Sequence, residues 1–285
     1  ATLCGGPVPS ARVDVRDRAA LREVFQAHRP DAVLHFAALK AVGESWARAL
    51  DYHDNNIGGL LSVLGCMRGC GVERIVFSSS ATVYGSANTS PISEDATIAP
   101  ENPYGRTKAF CEHILLDTSR TPGGPCVALL RYFNPVGAHP SGLIGENPTG
   151  IPNNLVPYVC QVASGRLPLL RVVGSDYPTI DGTGVRDYVH VVDLAAAHIA
   201  ALDVPAGNLV VNLGRGEGHS VLQVVSAFEQ VSGRRIALRM DPRREGDVAE
   251  CYASPALAQR VLGWRARHDL EQMCKDAWLW ECRRD

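Results

Sequence analysis

Between Asp31 and Tyr132, short apolar, β-branched runs alternate with stretches of helical period, and this alternation constrains the fold more than any other feature of the chain. Runs that are apolar throughout, rather than at every second position, suit strands covered on both faces, and so a parallel sheet whose crossovers are helices. Asp31-Ala32-Val33-Leu34-His35-Phe36-Ala37 reads as such a strand, following a helix around Arg18 to His28 that stops at Pro30. Asn56 to Cys70 reads as a helix closed by Gly71, Arg74 to Ser79 as the next strand, Tyr104 to Thr118 as a helix, and Val127 to Tyr132 as a further strand. The predicted class is α/β, with a doubly wound parallel sheet.

After Asn134-Pro135 the pattern loosens into loops rich in Gly, Pro and Asn, the longest from Gly137 to Pro152. Helices are expected near Leu155 to Gly165, Val192 to Leu202, Val221 to Ser232 and Asp269 to Glu281. Long loops in a compact enzyme are usually functional, so a smaller α/β substrate-binding unit is assigned to residues 135–285 and the doubly wound unit to 1–134. The apolar fraction of 46% over 285 residues is enough for full cores. A net charge of −2 gives no electrostatic case for nucleic acid or an anionic membrane, and nothing approaches a spanning apolar run. The nine cysteines are scattered, and Cys66-x-x-x-Cys70 lacks a second ligand pair, so no metal site is expected. Reduced core thiols in a cytoplasmic protein are the plain reading.

Tyr104 and Lys108 stand one helical turn apart and face the same way, with Ser78-Ser79-Ser80 ending the strand placed to meet them. A phenol is a poor base near neutrality unless a cation favours the phenolate, which the Lys108 ammonium would do. Tyr104 is therefore the candidate base and Lys108 its cation, with the serine cluster that ends in Ser80 beside them. A Tyr-x-x-x-Lys pair alone is a common surface spacing; the serine strand is what gives it weight.

With these residues in view, the chain resembles the UDP-glucose 4-epimerases of the extended short-chain dehydrogenase/reductase group. The likeness rests on His35 to Ser45, Ser78 to Gly85, Asn102 to Lys108, Leu130 to Pro135, Gly150 to Leu155, Asp181 to Tyr188 and Arg243 to Asp247, in the family's order and spacing. It implies a Rossmann-like fold, tightly held NAD, a UDP-sugar substrate, a homodimer through the helices Asn56 to Arg68 and Tyr104 to Thr118, and a place in galactose metabolism. It further implies that Asp14, Val15, Phe36, Ala37, Ala38, Lys40, Asn55 and Phe133, with Ser80, Tyr104 and Lys108, bind the cofactor. Ser80, Tyr104, Asn134, Asn154, Leu155, Arg186, Arg244, Asp247 and Cys251 would bind the nucleotide sugar, the arginines through planar donor forks suited to a diphosphate. At the position of Cys251 the family holds either a bulky Tyr or a small residue. The small Cys251 implies room for a 2-acetamido group, hence UDP-N-acetylglucosamine and its galacto epimer beside the plain hexoses.

Three departures follow. The family opens on a strand and a Gly-x-x-Gly-x-x-Gly turn that holds the pyrophosphate, whereas this sequence begins Ala1-Thr2-Leu3-Cys4-Gly5-Gly6-Pro7 and is expected to lack that turn. Either a truncated or alternatively started product is expected, or one in which Ala1 to Ala11 replace a longer N-terminus, and the strand at Asp31 to Ala37 would lose its neighbour. The cluster Gly214-Arg215-Gly216-Glu217-Gly218 has the wrong spacing to replace it and is expected to be a structural turn. Ala38 and Ile180 stand where the family favours Gly and an acid. Two rival readings remain: a nucleotide-sugar 4,6-dehydratase or decarboxylase of the same fold, disfavoured because Ala81-Thr82-Val83-Tyr84 follows Ser80 in place of a Thr with acidic residues after it, and a catalytically dead binding or dimer-forming subunit.

Overall fold

The computed structural model describes residues 3–148, 150–204, 207–243 and 247–284. The first helix, α1 (Arg18–His28), starts where the Asp17 carboxylate accepts hydrogen bonds from the amides of Ala19 and Ala20. It leads to β1 (Val33–His35), then to α2 (Val42–Ala47) and α3 (Ala49–His53). A π-turn at Asp54–Gly58 joins α3 to α4 (Gly59–Cys70), which Gly71 closes at φ 69°. Next come β2 (Arg74–Ser80), a 3₁₀ turn at Ala81–Val83, α5 (Pro103–Ser119) and β3 (Cys126–Tyr132).

The second half supplies β4 (Asn134–Val136), α6 (Leu155–Ala163), β5 (Leu170–Val173), β6 (Val185–Arg186), β7 (Tyr188–His190) and α7 (Val191–Leu202). It continues through β8 (Leu209–Leu213), β9 (His219–Ser220), α8 (Val221–Ser232), β10 (Leu238–Asp241), β11 (Glu250–Cys251), α9 (Ala256–Leu262) and α10 (Leu270–Arg283).

The main sheet runs β1-β2-β3-β8 and all its pairs are parallel. One face packs Ile75, Phe77, Val127 and Leu129 against Leu60, Val63 and Leu115 of α4 and α5. The other packs Val76, Ala128 and Leu130 against Leu194 and Ala197 of α7. Both faces are buried, as the continuous apolar runs require. A separate core joins α6, α8 and α10 through Val159, Phe228 and Met273.

Four expectations need correction. The strand over Asp31 to Ala37 shrinks to three paired residues, because the chain after His35 leaves the sheet and Phe36 is 54% exposed. The helix expected from Asn56 begins at Gly59, since the π-turn interrupts the ladder ahead of it. The short helices α2 and α3 were not anticipated. The expected boundary between 134 and 135 does not separate the sheets, because β8 from the second segment pairs with β3. β1 has β2 as its paired neighbour, and Leu34 on it is 37% exposed. Among the described residues no helix is long and apolar enough to cross a membrane, and no cluster of ligands for a metal occurs.

Candidate active site

The carboxyl ends of β2 and β3 are where the site is assembled, as expected for an open parallel sheet. Ser80 ends β2 with extended backbone, and its Oγ accepts from the Thr82 amide at 3.2 Å and from the Thr82 hydroxyl at 3.0 Å. These bonds fold the chain into the 3₁₀ turn and fix the serine hydroxyl. Opposite it, Asn102 caps α5 by accepting from the Gly105 amide at 2.8 Å, with Pro103 in the first turn. A Cβ on Gly105 would lie 2.8 Å from the Thr82 carbonyl, so glycine lets the first turn of α5 close onto the serine turn.

That closure buries Tyr104 to 9% exposure and Lys108 to 4%. The Lys108 ammonium donates to the Ser78 carbonyl at 2.6 Å and lies 4.8 Å from the Phe77 ring centroid. It is 6.0 Å from the Tyr104 ring centroid. Burial lowers its pKa to about 8, while Cys111 and Glu112 pull it upward. Burial raises the Tyr104 phenol above its ordinary value, and the hydrogen bond with Ser80 offsets only part of that rise. Ser80 thus acts on the phenol beside the Lys108 ammonium to which the sequence pointed.

A buried polar frame lies beneath. Arg131 grips Glu112 with two bonds of 3.0 and 2.7 Å, and Ser79 Oγ donates to the same carboxylate at 2.5 Å. Arg131 also donates to the Tyr84 hydroxyl at 2.8 Å, which donates to Asn212 at 2.7 Å. Strand alternation explains the division of labour: Ser79 faces α5 and this frame, while Ser78 and Ser80 point to the other side.

Asn56 is the link to the loop after β1. Buried in the π-turn, it accepts from the Leu39 amide at 2.8 Å and donates to the Leu39 carbonyl at 3.0 Å and Thr107 Oγ1 at 2.9 Å. Asn55, the residue singled out from the sequence, donates to Asn56 at 3.0 Å. Thr82, Gly105 and Asn56 were missed, and for Thr82 the spacing Ser-x-Thr of a hydroxyl-linked turn was the available signal.

The remaining sequence-predicted residues fall in three places. Phe36, Ala37 and Lys40 are exposed and Ala38 half-buried after β1; Lys40 pairs with Glu146 at 3.3 Å. Asp14 is exposed and bound by Arg16, which also reaches Asp54, and these bonds hold its pKa down at about 2. Val15 packs against Gly59, where a Cβ would come within 2.6 Å of it. In the second half, Asn154 at the start of α6 donates to Glu146 at 2.8 Å, next to half-buried Leu155. Arg186 and Cys251 are register partners on β6 and β11, and burial raises the Cys251 thiol to about 11. Cys251 and Phe133 pack into one cluster with Tyr84 and Val83, which brings that strand pair to the serine turn. Asn134 on β4 bonds through its amide to the Asp187 carbonyl at 2.9 Å. Asp247 is half-buried, and Arg244 lies outside the described residues.

The Gly214 turn is structural, as expected. Asp187, fully buried, accepts from the amides of Arg215, Gly216 and Ala253 at 2.8, 3.0 and 3.1 Å.

A sequence model described as GDP-mannose 4,6 dehydratase matches residues 8–277. The UDP-glucose 4-epimerase of Bacillus subtilis is 55% identical over 282 residues, covering 98% of this chain and 83% of that protein. The chain belongs to the UDP-glucose 4-epimerase family. The epimerase fold is matched equally closely: the Bifidobacterium longum UDP-glucose 4-epimerase in complex with NAD⁺ and UDP superimposes with TM-score 0.96 at 48% identity, over 99% of this chain and 85% of that one. The epimerase of Stenotrophomonas maltophila, bound to NAD and formylated UDP-arabinopyranose, gives 0.92 at 52% identity, over 95% and 82%. As a family, these epimerases are isomerases of the extended short-chain dehydrogenase/reductase type.

Proposed function

We propose that this chain inverts C4 of UDP-glucose and UDP-galactose with NAD, and that it accepts UDP-N-acetylglucosamine and UDP-N-acetylgalactosamine as well. The observation that carries the reading is the buried trio of Tyr104, Ser80 and Lys108 on a serine turn and a capped helix start, in a chain 55% identical to a curated epimerase.

The nicotinamide end of the site suits the cofactor. An exposed Phe36 ring and the Lys40 cation follow β1, and the Lys108 donor and Phe133 are buried. We assign cofactor binding to Phe36, Ala37, Ala38, Lys40, Asn55, Ser80, Tyr104, Lys108 and Phe133. Val15 and Asp14 are assigned to the adenine end, where Arg16 already occupies the Asp14 carboxylate. Bound NAD⁺ supplies the hydride acceptor for the sugar C4 and a cationic ring that favours the phenolate.

Tyr104 then takes the 4-hydroxyl proton, with Ser80 hydrogen-bonded between phenol and sugar oxygen and held in line by Thr82. Lys108 keeps the phenolate side of the equilibrium accessible, and its hold on Ser78 fixes the helix to the strand. After the 4-keto sugar turns over, Tyr104 returns the proton to the oxygen on the opposite face. Asn134, Asn154, Leu155, Arg186, Arg244, Asp247 and Cys251 are assigned to the nucleotide sugar. The short Cys251 side chain beside Arg186 supports the acetamido substrates.

A homodimer is the proposed assembly. Trp46, Leu50, Leu61 and Phe110 are 56, 82, 51 and 48% exposed on α2 to α5, an apolar surface that a second copy would cover.

The test is turnover of UDP-galactose by the purified chain, with NAD measured after denaturation and the acetamido sugars run in parallel. Comparable turnover of both sugar classes with stoichiometric NAD is expected. Rejection of the acetamido sugars would defeat the broader specificity. Neither turnover nor NAD would favour a catalytically inactive, dimer-forming subunit.

A further inference from the structure

Tyr84 closes the turn that carries Ser80 and Thr82, and it is fully buried. Its hydroxyl accepts from Arg131 Nη1 at 2.8 Å and donates to Asn212 Oδ1 at 2.7 Å. A guanidinium can only donate, so the phenolic proton goes to Asn212, and this fixes which way the Asn212 amide points. Asn212, also fully buried, is the register partner of Arg131 across β3 and β8. Its Nδ2 donates to the Ile92 carbonyl at 2.9 Å, and its backbone amide donates to Glu94 Oε1 at 2.8 Å.

Ile92 belongs to the substrate side of the molecule. It bridges Ala253, its amide donates to the Tyr252 carbonyl at 2.9 Å, and its carbonyl accepts from the Ser254 amide at 2.8 Å. Tyr252 follows Cys251, which pairs with Arg186. A continuous run of hydrogen bonds thus leads from the serine turn through Tyr84, Asn212 and Ile92 to the strand beside Arg186. Arg131 braces the near end, since its other bonds go to Glu112 on α5, the helix of Tyr104.

A nucleotide sugar held by its diphosphate at Arg186 reaches Tyr104 and Ser80 only if the gap between the two ends matches its length. We propose that Asn212 is a positioning residue: by joining Tyr84 to Ile92 it sets the distance between the serine turn and the strand pair of Arg186 and Cys251, and so brings the sugar C4 to the proton-transfer group. This rests on the site assigned under the proposed function. A buried amide is costly unless its hydrogen bonds are made, and here the two ends of one side chain are used on two separate segments. An apolar residue of similar size fills the same space without joining them. Asp187 holds the far strand independently through the amides of Ala253, Arg215 and Gly216, so loss of Asn212 shifts that strand without unfolding it.

The experiment compares Tyr84→Phe, Asn212→Leu and the double variant with the parent, measuring melting temperature, calorimetric Kd for UDP and for UDP-galactose, and kcat. The double variant strands no partner, because the Ile92 carbonyl keeps the Ser254 amide and Arg131 Nη1 keeps the Glu94 carbonyl at 3.1 Å, so it should fold. The Kd for UDP stays within about twofold of the parent while kcat falls roughly ten- to a hundredfold, the cost of a misplacement on the order of 1 Å. Either single change breaks the same link, so the double variant falls no further than the larger single effect, whereas two unrelated packing defects would multiply. If Asn212→Leu does not fold, Tyr84→Phe, which keeps the buried ring, carries the same comparison of UDP affinity with kcat. Parent kcat in a folded variant, a multiplicative fall, or loss of UDP affinity together with kcat overturns the inference. A parent that binds UDP-galactose without turning it over would sink the proposed activity alone. The inference is then read from the affinity that the sugar adds over UDP, which shrinks in the variants if Asn212 sets the gap and is unchanged if it does not.

Discussion

The ammonium of Lys108 on α5 donates a 2.6 Å hydrogen bond to the carbonyl of Ser78 on β2. One contact thus couples the helix that carries the phenol to the strand that carries the serine. Its cost is visible in the same group, since burial draws the Lys108 pKa down from 10.5 to about 8.

Replacing Lys108 separates stability from activity. A lysine whose folded pKa is lowered binds fewer protons folded than unfolded between about pH 8 and 10.5, so the parent gains stability as pH rises through that window. Below it the buried charge is a standing penalty. Lys108→Met should melt no lower than the parent at pH 7 and lose the rise above pH 8, while kcat falls by about 10² or more. Thermal melts across pH with steady-state kinetics check this.

Gly105 makes a purely steric prediction. An added Cβ would meet the Thr82 carbonyl at 2.8 Å and Pro100 at 3.1 Å, in a helix that has no need of glycine's freedom. Gly105→Ala should fold with near-parent stability yet push Tyr104 off Ser80. A displacement of this kind lowers kcat by roughly ten- to a hundredfold. Circular dichroism and kinetics on the same preparation would separate this from unfolding.

The Arg131–Glu112 pair should be expensive to break and cheap to replace. Both side chains are buried, at 7 and 6% exposure, and the carboxylate also takes the Ser79 proton. Glu112→Leu alone strands a buried guanidinium and should destabilise by about 3 to 5 kcal/mol. The double change Arg131→Met with Glu112→Leu should recover most of that. Chemical denaturation of the three variants reads it directly.

Asp187 gives the opposite sign to a typical carboxylate. Burial raises its pKa to about 6 against the pull of three backbone amides. The folded state therefore holds a proton that the unfolded state has lost between about pH 4 and 6, and its contribution to stability falls as pH rises through that window. The slope of stability against pH there should be more positive in Asp187→Ala than in the parent. A slope unchanged from the parent, or a more negative one, would contradict the assignment.

The doubly wound sheet was legible because a strand buried on both faces is apolar along its run, and Ile75 to Phe77 and Val127 to Leu130 are written that way. Tyr104 and Lys108 were legible because their contact is local, one turn of one helix. What stayed hidden depends on contacts between distant segments. Asn56 reaches Leu39 and Thr107 across 17 and 51 residues, and nothing in its neighbours marks it apart from Asn55. The return of β8 to pair with β3, and Asp187 holding the Gly214 turn, are likewise set by tertiary packing. The Lys108 to Ser78 bond was hidden for the same reason: helical spacing puts the ammonium on the side of the phenol, and which strand carbonyl accepts from it is set by tertiary packing.

The most direct test of the central claim is kcat for UDP-galactose in Tyr104→Phe, measured with the melting temperature and NAD content of the same sample. The substitution keeps the buried ring and removes the one oxygen assigned to the proton. A fall of about 10³ or more with fold and NAD unchanged is predicted. Turnover within tenfold of the parent would mean that the proton leaves the sugar by another route, and Tyr104 would not be the base.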